Sequence, residues 1–135
     1  MNHLEIYIDG ASKGNPGHSG VGIVIFSEGH LIKNISHYIG QATNNVAEYT
    51  ALIFALEEAL LLKAETLKIN TDSQLLARQL NKIYKVRHPG IISLYERAVH
   101  LLTGFKKVIV NNIPREENCL ADKLATAAVK LRKRL

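Results

Sequence analysis

The sequence predicts an α/β domain: a mixed five-stranded sheet in the order 3-2-1-4-5, strand 2 antiparallel, with helices on both faces. Three observations predict it. Period-two alternation of apolar residues runs through three successive segments up to Tyr38. From Asn44 the apolar spacing changes to three and four. Beyond that helix, β-patterned runs alternate with helical ones, and such βαβ crossovers demand parallel pairing of strands one, four and five.

Each element has its own signal. Leu4-Glu5-Ile6-Tyr7-Ile8-Asp9 alternates and reads as strand one. The Gly-rich run Gly10 to Gly17 reads as a connection, and Val21 to Phe26 as strand two. Glu28-Gly29-His30 reads as a hairpin turn into strand three, Leu31 to Tyr38. Asn44 to Lys63 places Ala47, Ala51, Leu52, Ala55, Leu56, Ala59 and Leu62 on one helical face, with Thr43 or Asn44 as its cap. Thr66 to Thr71 is strand four, and Ser73 to Leu80 a second helix. Pro89 suits a helical first turn, and the helix runs on through Leu102 until Gly104 stops it. Lys106 to Asn112 is strand five. A last helix is expected from Glu116 to Arg132, with Leu120, Leu124, Ala127, Ala128 and Leu131 apolar. No repeat or linker divides the 135 residues, so one domain, 1–135, is expected.

Composition narrows the class. The chain is 47% hydrophobic and 21% charged, a globular balance that excludes a disordered tail, a fibre or a disulfide mini-protein. Its longest aliphatic run, Ala59 to Leu62, is far short of the roughly 20 apolar residues that span a bilayer. Met1 to Leu4 lead into strand one without a signal peptide, and the lone Cys119 can form neither an intrachain disulfide nor a zinc cluster. A reducing, cytoplasmic setting is the expectation. Lys plus Arg number 17 against 12 acids, a net charge of +5, which suits a polyanionic partner. The terminal run Lys130-Leu131-Arg132-Lys133-Arg134-Leu135 reads as a solvated helix end.

Four acids stand out. Asp9 and Asp72 close strands one and four at their carboxyl ends, where open α/β sheets gather ligands. Singly, Asp9 could begin a turn and Asp72 could cap a helix. Glu48 shares the inward stripe of Ala51, Leu52 and Ala55, which demands a cation or a buried ion pair. Asp122 lies amid Ala121, Leu124 and Ala128, where it could also complement the helix dipole. Clustered carboxylates repel unless a cation joins them, and oxygen-only ligands suit Mg²⁺ or Mn²⁺. Two such ions sharing carboxylates form the arrangement that cleaves phosphodiesters. The Gly-rich run fails as a nucleotide-binding loop, because that needs a helix after it and Val21 to Phe26 is β-patterned.

Four segments carry a family resemblance. They are Tyr7-Ile8-Asp9-Gly10-Ala11-Ser12-Lys13-Gly14-Asn15-Pro16-Gly17, Thr43-Asn44-Asn45-Val46-Ala47-Glu48-Tyr49, Thr71-Asp72-Ser73-Gln74, and Pro114-Arg115-Glu116-Glu117-Asn118-Cys119-Leu120-Ala121-Asp122-Lys123-Leu124-Ala125. In this order and spacing the chain resembles type 1 ribonuclease H, the RNase H-like fold, over nearly its whole length. The resemblance implies metal-dependent endonucleolytic hydrolysis of the RNA strand of RNA–DNA hybrids, leaving 5′-phosphate and 3′-hydroxyl ends. It implies Asp9, Glu48, Asp72 and Asp122 as ligands of two Mg²⁺ ions, with Mn²⁺ as a substitute. It further implies that Asn15, Asn44, Asn45 and Gln74 contact the minor groove, where 2′-hydroxyls mark RNA. Thr43 takes the place of a DNA-phosphate contact, and Gly10 and Ser12 belong to the loop that approaches the strand. Capping and turn chemistry is the plainer reading of Asn15 and Asn44. The expected partner is the hybrid, with no membrane, no nucleotide cofactor and a monomeric state.

Two departures from the family pattern matter. Asn112 stands where many members carry a His ten residues before the last acid, and Arg115 stands seven before it. A sub-branch is similar in having Pro-Arg-Glu-x-Asn without that His, which makes Arg115 a candidate to orient the scissile phosphate. The basic, Trp-containing handle is missing, and Ile83-Tyr84-Lys85-Val86-Arg87-His88 replaces it. Lys82, Lys85 and Arg87 are candidates to restore part of that phosphate grip. Two further readings stay open on these grounds: a binding module of the same fold with weak or no catalysis, and a nuclease with a duplex range that includes double-stranded RNA.

Overall fold

The computed structural model describes residues 2–83 and 85–134. Met1, Tyr84 in the run that replaces the handle, Leu135, and the side chains of Lys133 and Arg134 lie outside the described residues. The chain runs β1 (His3–Gly14), β2 (Gly17–Ser27), β3 (His30–Ala42), α1 (Asn44–Leu61), β4 (Thr66–Thr71), α2 (Gln74–Leu80), α3 (Pro89–Leu102), β5 (Lys107–Asn112), a 3₁₀ turn at Arg115–Glu117, and α4 (Cys119–Arg134). The five strands order as β3-β2-β1-β4-β5. β2 is antiparallel to both its neighbours, while β1, β4 and β5 run parallel.

The core forms on one face of this sheet. Leu4, Ile6 and Ile8 of β1 alternate into it beside Ile23 and Ile25 of β2 and Leu67 and Ile69 of β4, all essentially fully buried. α1 covers them with Ala51, Leu52, Ala55, Leu56 and Ala59, and α3 packs on α1 from outside. α4 lies on the opposite face, against β1, β2 and β3. Asp9 and the other odd-numbered residues of β1 therefore point toward α4, since successive strand residues face opposite ways.

Three expectations need correction. Gly10 to Gly17 is not a loop: β1 and β2 pair as far as Gly14 and Gly17, joined by a tight turn through the cis peptide Asn15–Pro16. Glycines here serve close packing rather than a loop. A Cβ on Gly10 would stand 2.3 Å from the Ala47 carbonyl carbon, and one on Gly17 2.0 Å from the Lys13 carbonyl oxygen. Gly20 and Gly22 further on are bare where α4 crosses them. A Cβ on Gly22 would stand 2.0 Å from the Ala121 carbonyl oxygen. Second, the last helix begins at Cys119, not Glu116, because Arg115–Glu117 forms a separate 3₁₀ turn. Third, Leu120 and Leu131 are more than half exposed, and the buried face of α4 is Ala121, Ala125, Ala128 and Val129. Only small side chains fit a helix laid directly on strand backbone. The β2–β3 hairpin is as expected: Glu28 and Gly29 both have positive φ, as a two-residue type I′ loop requires.

Candidate active site

The parallel register of β1 and β4 builds the centre of the site. Ile8 pairs with Thr71, so Asp9 and Asp72 stand at the next step along neighbouring strands. Asp9 begins no turn; it sits within β1, opposite Gly22 of β2. Asp72 caps no helix either. Ser73 is the N-cap of α2, its hydroxyl accepting the Leu76 N–H at 3.2 Å, and this leaves the Asp72 carboxylate uncommitted. The Ser73 N–H in turn donates to the Thr71 hydroxyl, 3.1 Å away, so the chain turns at Asp72.

Glu48 reaches the same point from α1. Thr43 caps this helix by accepting from the Val46 N–H at 3.2 Å. Gly10 lets the first turns lie on β1: a Cβ there would be 2.3 Å from the Ala47 carbonyl carbon and 2.5 Å from the Glu48 nitrogen. The Gly10 N–H then donates to Glu48 Oε1 at 2.9 Å. Glu48 Oε2 is buried and has no hydrogen-bond partner. A buried carboxylate oxygen left bare is costly, and only a cation or a proton can satisfy it here.

Asp122 comes from the opposite face. The Asn118 side-chain amide donates to the Ile8 carbonyl at 2.8 Å, tying the start of α4 to the residue before Asp9. The Asp122 N–H donates to the Asn118 carbonyl at 3.1 Å, within the first turn, so the acid meets the helix dipole and the Asp9 carboxyl together. A cavity of about 450 Å³ holds all four acids, with Gly10, Ala11, Ser12, Asn44, Arg115 and Thr126 completing its wall. Arg115 is exposed yet faces into it.

The electrostatics follow from this crowding. Burial first, then the charges of Glu48 and Asp72 and the touching carboxyls of Asp122 and Glu48, push the Asp9 carboxyl far above the usual range. Burial also pushes Glu48 up, with Asp72 and Asp122 adding to it, although the Gly10 N–H and Asp9 pull the other way. One carboxylate oxygen from each of Asp9, Glu48 and Asp72 lies within 4.8 Å of the others, so the three could hold a metal ion. An oxygen-only donor set with one bare buried oxygen fits a hard divalent cation. Asp122 lies outside this closest trio but on the same cavity wall.

The remaining candidates divide. Asn44 lines the cavity, and its N–H donates to Asn15 Oδ1 at 3.1 Å, bracing the β1–β2 turn against α1. The Ser12 hydroxyl holds the Ala42 carbonyl at 2.9 Å. Asn45 and Gln74 are exposed in the first turns of α1 and α2. Lys85 and Arg87 lie in the segment between α2 and α3, and Lys85 lines a separate groove with Lys82, Ile83 and Ile92. They are absent from the walls of the acid cavity. Sequence reasoning missed Ala11 and Thr126. Thr126 had a signal, since it stands one helical turn beyond Asp122.

Comparison with known proteins identifies the family. The family described as "Reverse transcriptase-like" matches residues 7–128. "Ribonuclease HI" of Halobacterium salinarum is 42% identical over 127 residues, 93% of this chain and 64% of that protein. "Bifunctional protein Rv2228c" of Mycobacterium tuberculosis is 39% identical over 126 residues, 92% of this chain and 35% of that protein. The chain thus spans between about a third and two thirds of these relatives' length. Among solved structures, LC11-RNase H1 in complex with an RNA/DNA hybrid superposes with a TM-score of 0.90 at 37% identity, covering 96% of this chain and 98% of that one. With its sheet order and its sequence matching across nearly the full length, the chain belongs to the reverse-transcriptase-like family, in the type 1 ribonuclease H branch.

Proposed function

We propose that this chain is a Mg²⁺-dependent endonuclease that hydrolyses the RNA strand of RNA–DNA hybrids, leaving 5′-phosphate and 3′-hydroxyl ends. The observation that carries the reading is the convergence of Asp9, Glu48 and Asp72, with a bare buried oxygen on Glu48. Asp9, Glu48, Asp72 and Asp122 would hold the cations, and Mn²⁺, equally an oxygen-seeking ion, would substitute. Divalent ions bound there supply Lewis-acid charge that activates a water and stabilises the leaving oxygen. The Gly10 N–H keeps Glu48 aimed at the cavity. Arg115 places a fixed positive charge on the wall, where it orients the scissile phosphate. Asn44 and Asn15 form one braced edge that meets the minor groove, with Asn45 and Gln74 at adjacent helix starts. Thr43 keeps its hydroxyl for the α1 cap, so its phosphate contact runs through the helix N-terminus it completes. Lys85 and Arg87 would add distant phosphate contacts. The chain acts as a monomer and needs no nucleotide cofactor.

A labelled hybrid incubated with Mg²⁺, and again with EDTA, tests the reading. Cleavage is expected only with the metal, and Asp9→Asn and Asp72→Asn should each lower kcat by at least about a thousandfold, equivalent to about 4 kcal/mol. Unchanged rates in those variants would remove the mechanism. The second reading, a binding module, rests on Asn112, whose side-chain amide is taken up by the Thr71 carbonyl at 3.1 Å. Retention of hybrids on a gel without cleavage in either metal would favour it. Matched hybrid, RNA and DNA duplexes define the substrate range.

A further inference from the structure

A second groove adjoins the acid cavity. It has a volume of about 250 Å³ and is lined by Ala11, Ser12, Lys13, Thr126, Val129 and Lys130. Ala11, Ser12 and Thr126 are shared with the acid cavity, so the two spaces adjoin. Lys13 belongs here by strand alternation, two residues beyond Ala11 and four beyond Asp9 on the side of β1 that faces α4. Lys130 belongs by helical repeat: Asp122, Thr126 and Lys130 form one stripe along α4. That stripe carries the wall about 12 Å from Asp122.

The sign of charge reverses along this path. The acid cavity is lined by four carboxylates, whereas the groove carries two lysines and no acid. Lys33, Lys68 and Lys106 form ion pairs with Glu58, Glu5 and Glu65, but no ion pair engages Lys13 or Lys130 among the described residues. Beyond the groove the positive character continues. The Arg132 guanidinium lies 5.5 Å above the ring of Tyr38. A strand whose scissile bond sits among metal-loaded acids must carry its next phosphates away along some wall. On this side the wall passes into a groove whose charged lining residues are both lysines.

We propose that this groove is a phosphate subsite for the RNA strand adjacent to the point of cleavage, with Lys13 and Lys130 as its cations. The proposal rests on the hybrid-cleaving function proposed above and names a grip independent of the lost handle. It also gives Lys130 a role beyond that of a solvated helix end.

Steady-state cleavage by a Lys13→Gln/Lys130→Gln double variant tests it. KM for a hybrid should rise about tenfold with kcat within about twofold, and the slope of log KM against log salt should become shallower by about one per lysine. Lys13→Arg/Lys130→Arg should restore both, and all variants should match the parent in melting temperature, since both side chains are exposed. Hybrids whose RNA strand ends just 5′ or just 3′ of the cut, over an intact DNA strand, locate the contact. In one of the two, parent and double variant should become equal. An unchanged KM and salt slope overturns the subsite, and a penalty that persists with both shortened RNAs overturns its assignment to the RNA strand. Failure of the parent protein to cut any hybrid is a different outcome, which removes the function and the subsite together.

Discussion

At the scale of single residues, Asp9 carries the largest conflict. Its carboxyl is buried, touches those of Glu48 and Asp122, and faces the charge of Asp72. Without metal, folding raises the proton affinity of Asp9 and Glu48 above that of the unfolded chain. The folded state therefore binds more protons than the unfolded one once the pH passes about 4. The contribution of these groups to stability is complete below that pH and is lost as the pH climbs through their raised folded values. Asp9→Asn removes the conflict. In EDTA its melting temperature should match the parent near pH 4 and exceed it increasingly toward pH 8. A gain of about 1–2 kcal/mol at pH 8, at roughly 3–5 °C per kcal/mol for a domain of this size, is the expected scale. A lower melting temperature for the variant at pH 8 would contradict the crowding. These acids were legible in the sequence because each sat where its residue type is awkward, at a strand end or on an apolar helical face. Asn118, which ties α4 to the Ile8 carbonyl, was not legible as a brace, since a hydrogen bond across 110 positions leaves no local pattern.

At the scale of elements, the seat of α4 on β2 sets where Asp122 falls. Gly20 and Gly22 alternate on one face of β2, and Ala121, Ala125 and Ala128 face them from α4. Gly22→Ala would drive a methyl to 2.0 Å from the Ala121 carbonyl oxygen and 2.7 Å from the Ala125 nitrogen, both backbone atoms that no rotamer change can move. The helix must lift, at a cost of about 1–3 kcal/mol, and Asp122 lifts with it. Both a lower melting temperature and a lower kcat are expected, measured by thermal unfolding and hybrid cleavage. A variant as stable as the parent would show that α4 does not bear on β2 there. This contact explains why strand β2 was only partly legible. Period-two patterning is read from apolar side chains, and a glycine face contributes none, so the stretch of β2 before Val21 carries no strand signal. The same absence of bulk hid the face of α4, where leucines drew attention to Leu120 and Leu131 while alanines did the packing. Elsewhere, β4 and α3 fell where the pattern put them, because they bury larger side chains on a regular period.

At the scale of the whole molecule, the distribution of charge couples folding to the ligand. The chain carries a net charge of +5, yet four of its 12 acids line one cavity. Those four come from β1, α1, the end of β4 and α4, which lie on both faces of the sheet and meet only in the folded state. The unfolded chain has no such site, so a divalent cation binds the native state alone and stabilises it by mass action. At a metal concentration about 100 times the dissociation constant, the gain is about 2.7 kcal/mol, or a rise in melting temperature of roughly 8–13 °C at the conversion above. Thermal unfolding across a Mg²⁺ titration at constant ionic strength separates this from screening, which monovalent salt would reproduce. Asp72→Asn should flatten the titration curve, because it removes one member of the closest trio while leaving the Ser73 cap and the sheet register intact. A variant of Lys33, whose ion pair with Glu58 lies away from the cavity, should give the parent's curve. Equal stabilisation of the parent and Asp72→Asn by Mg²⁺ would mean that the ion acts elsewhere on the chain, and the convergence of the acids would then be a cost of folding with no ligand to offset it.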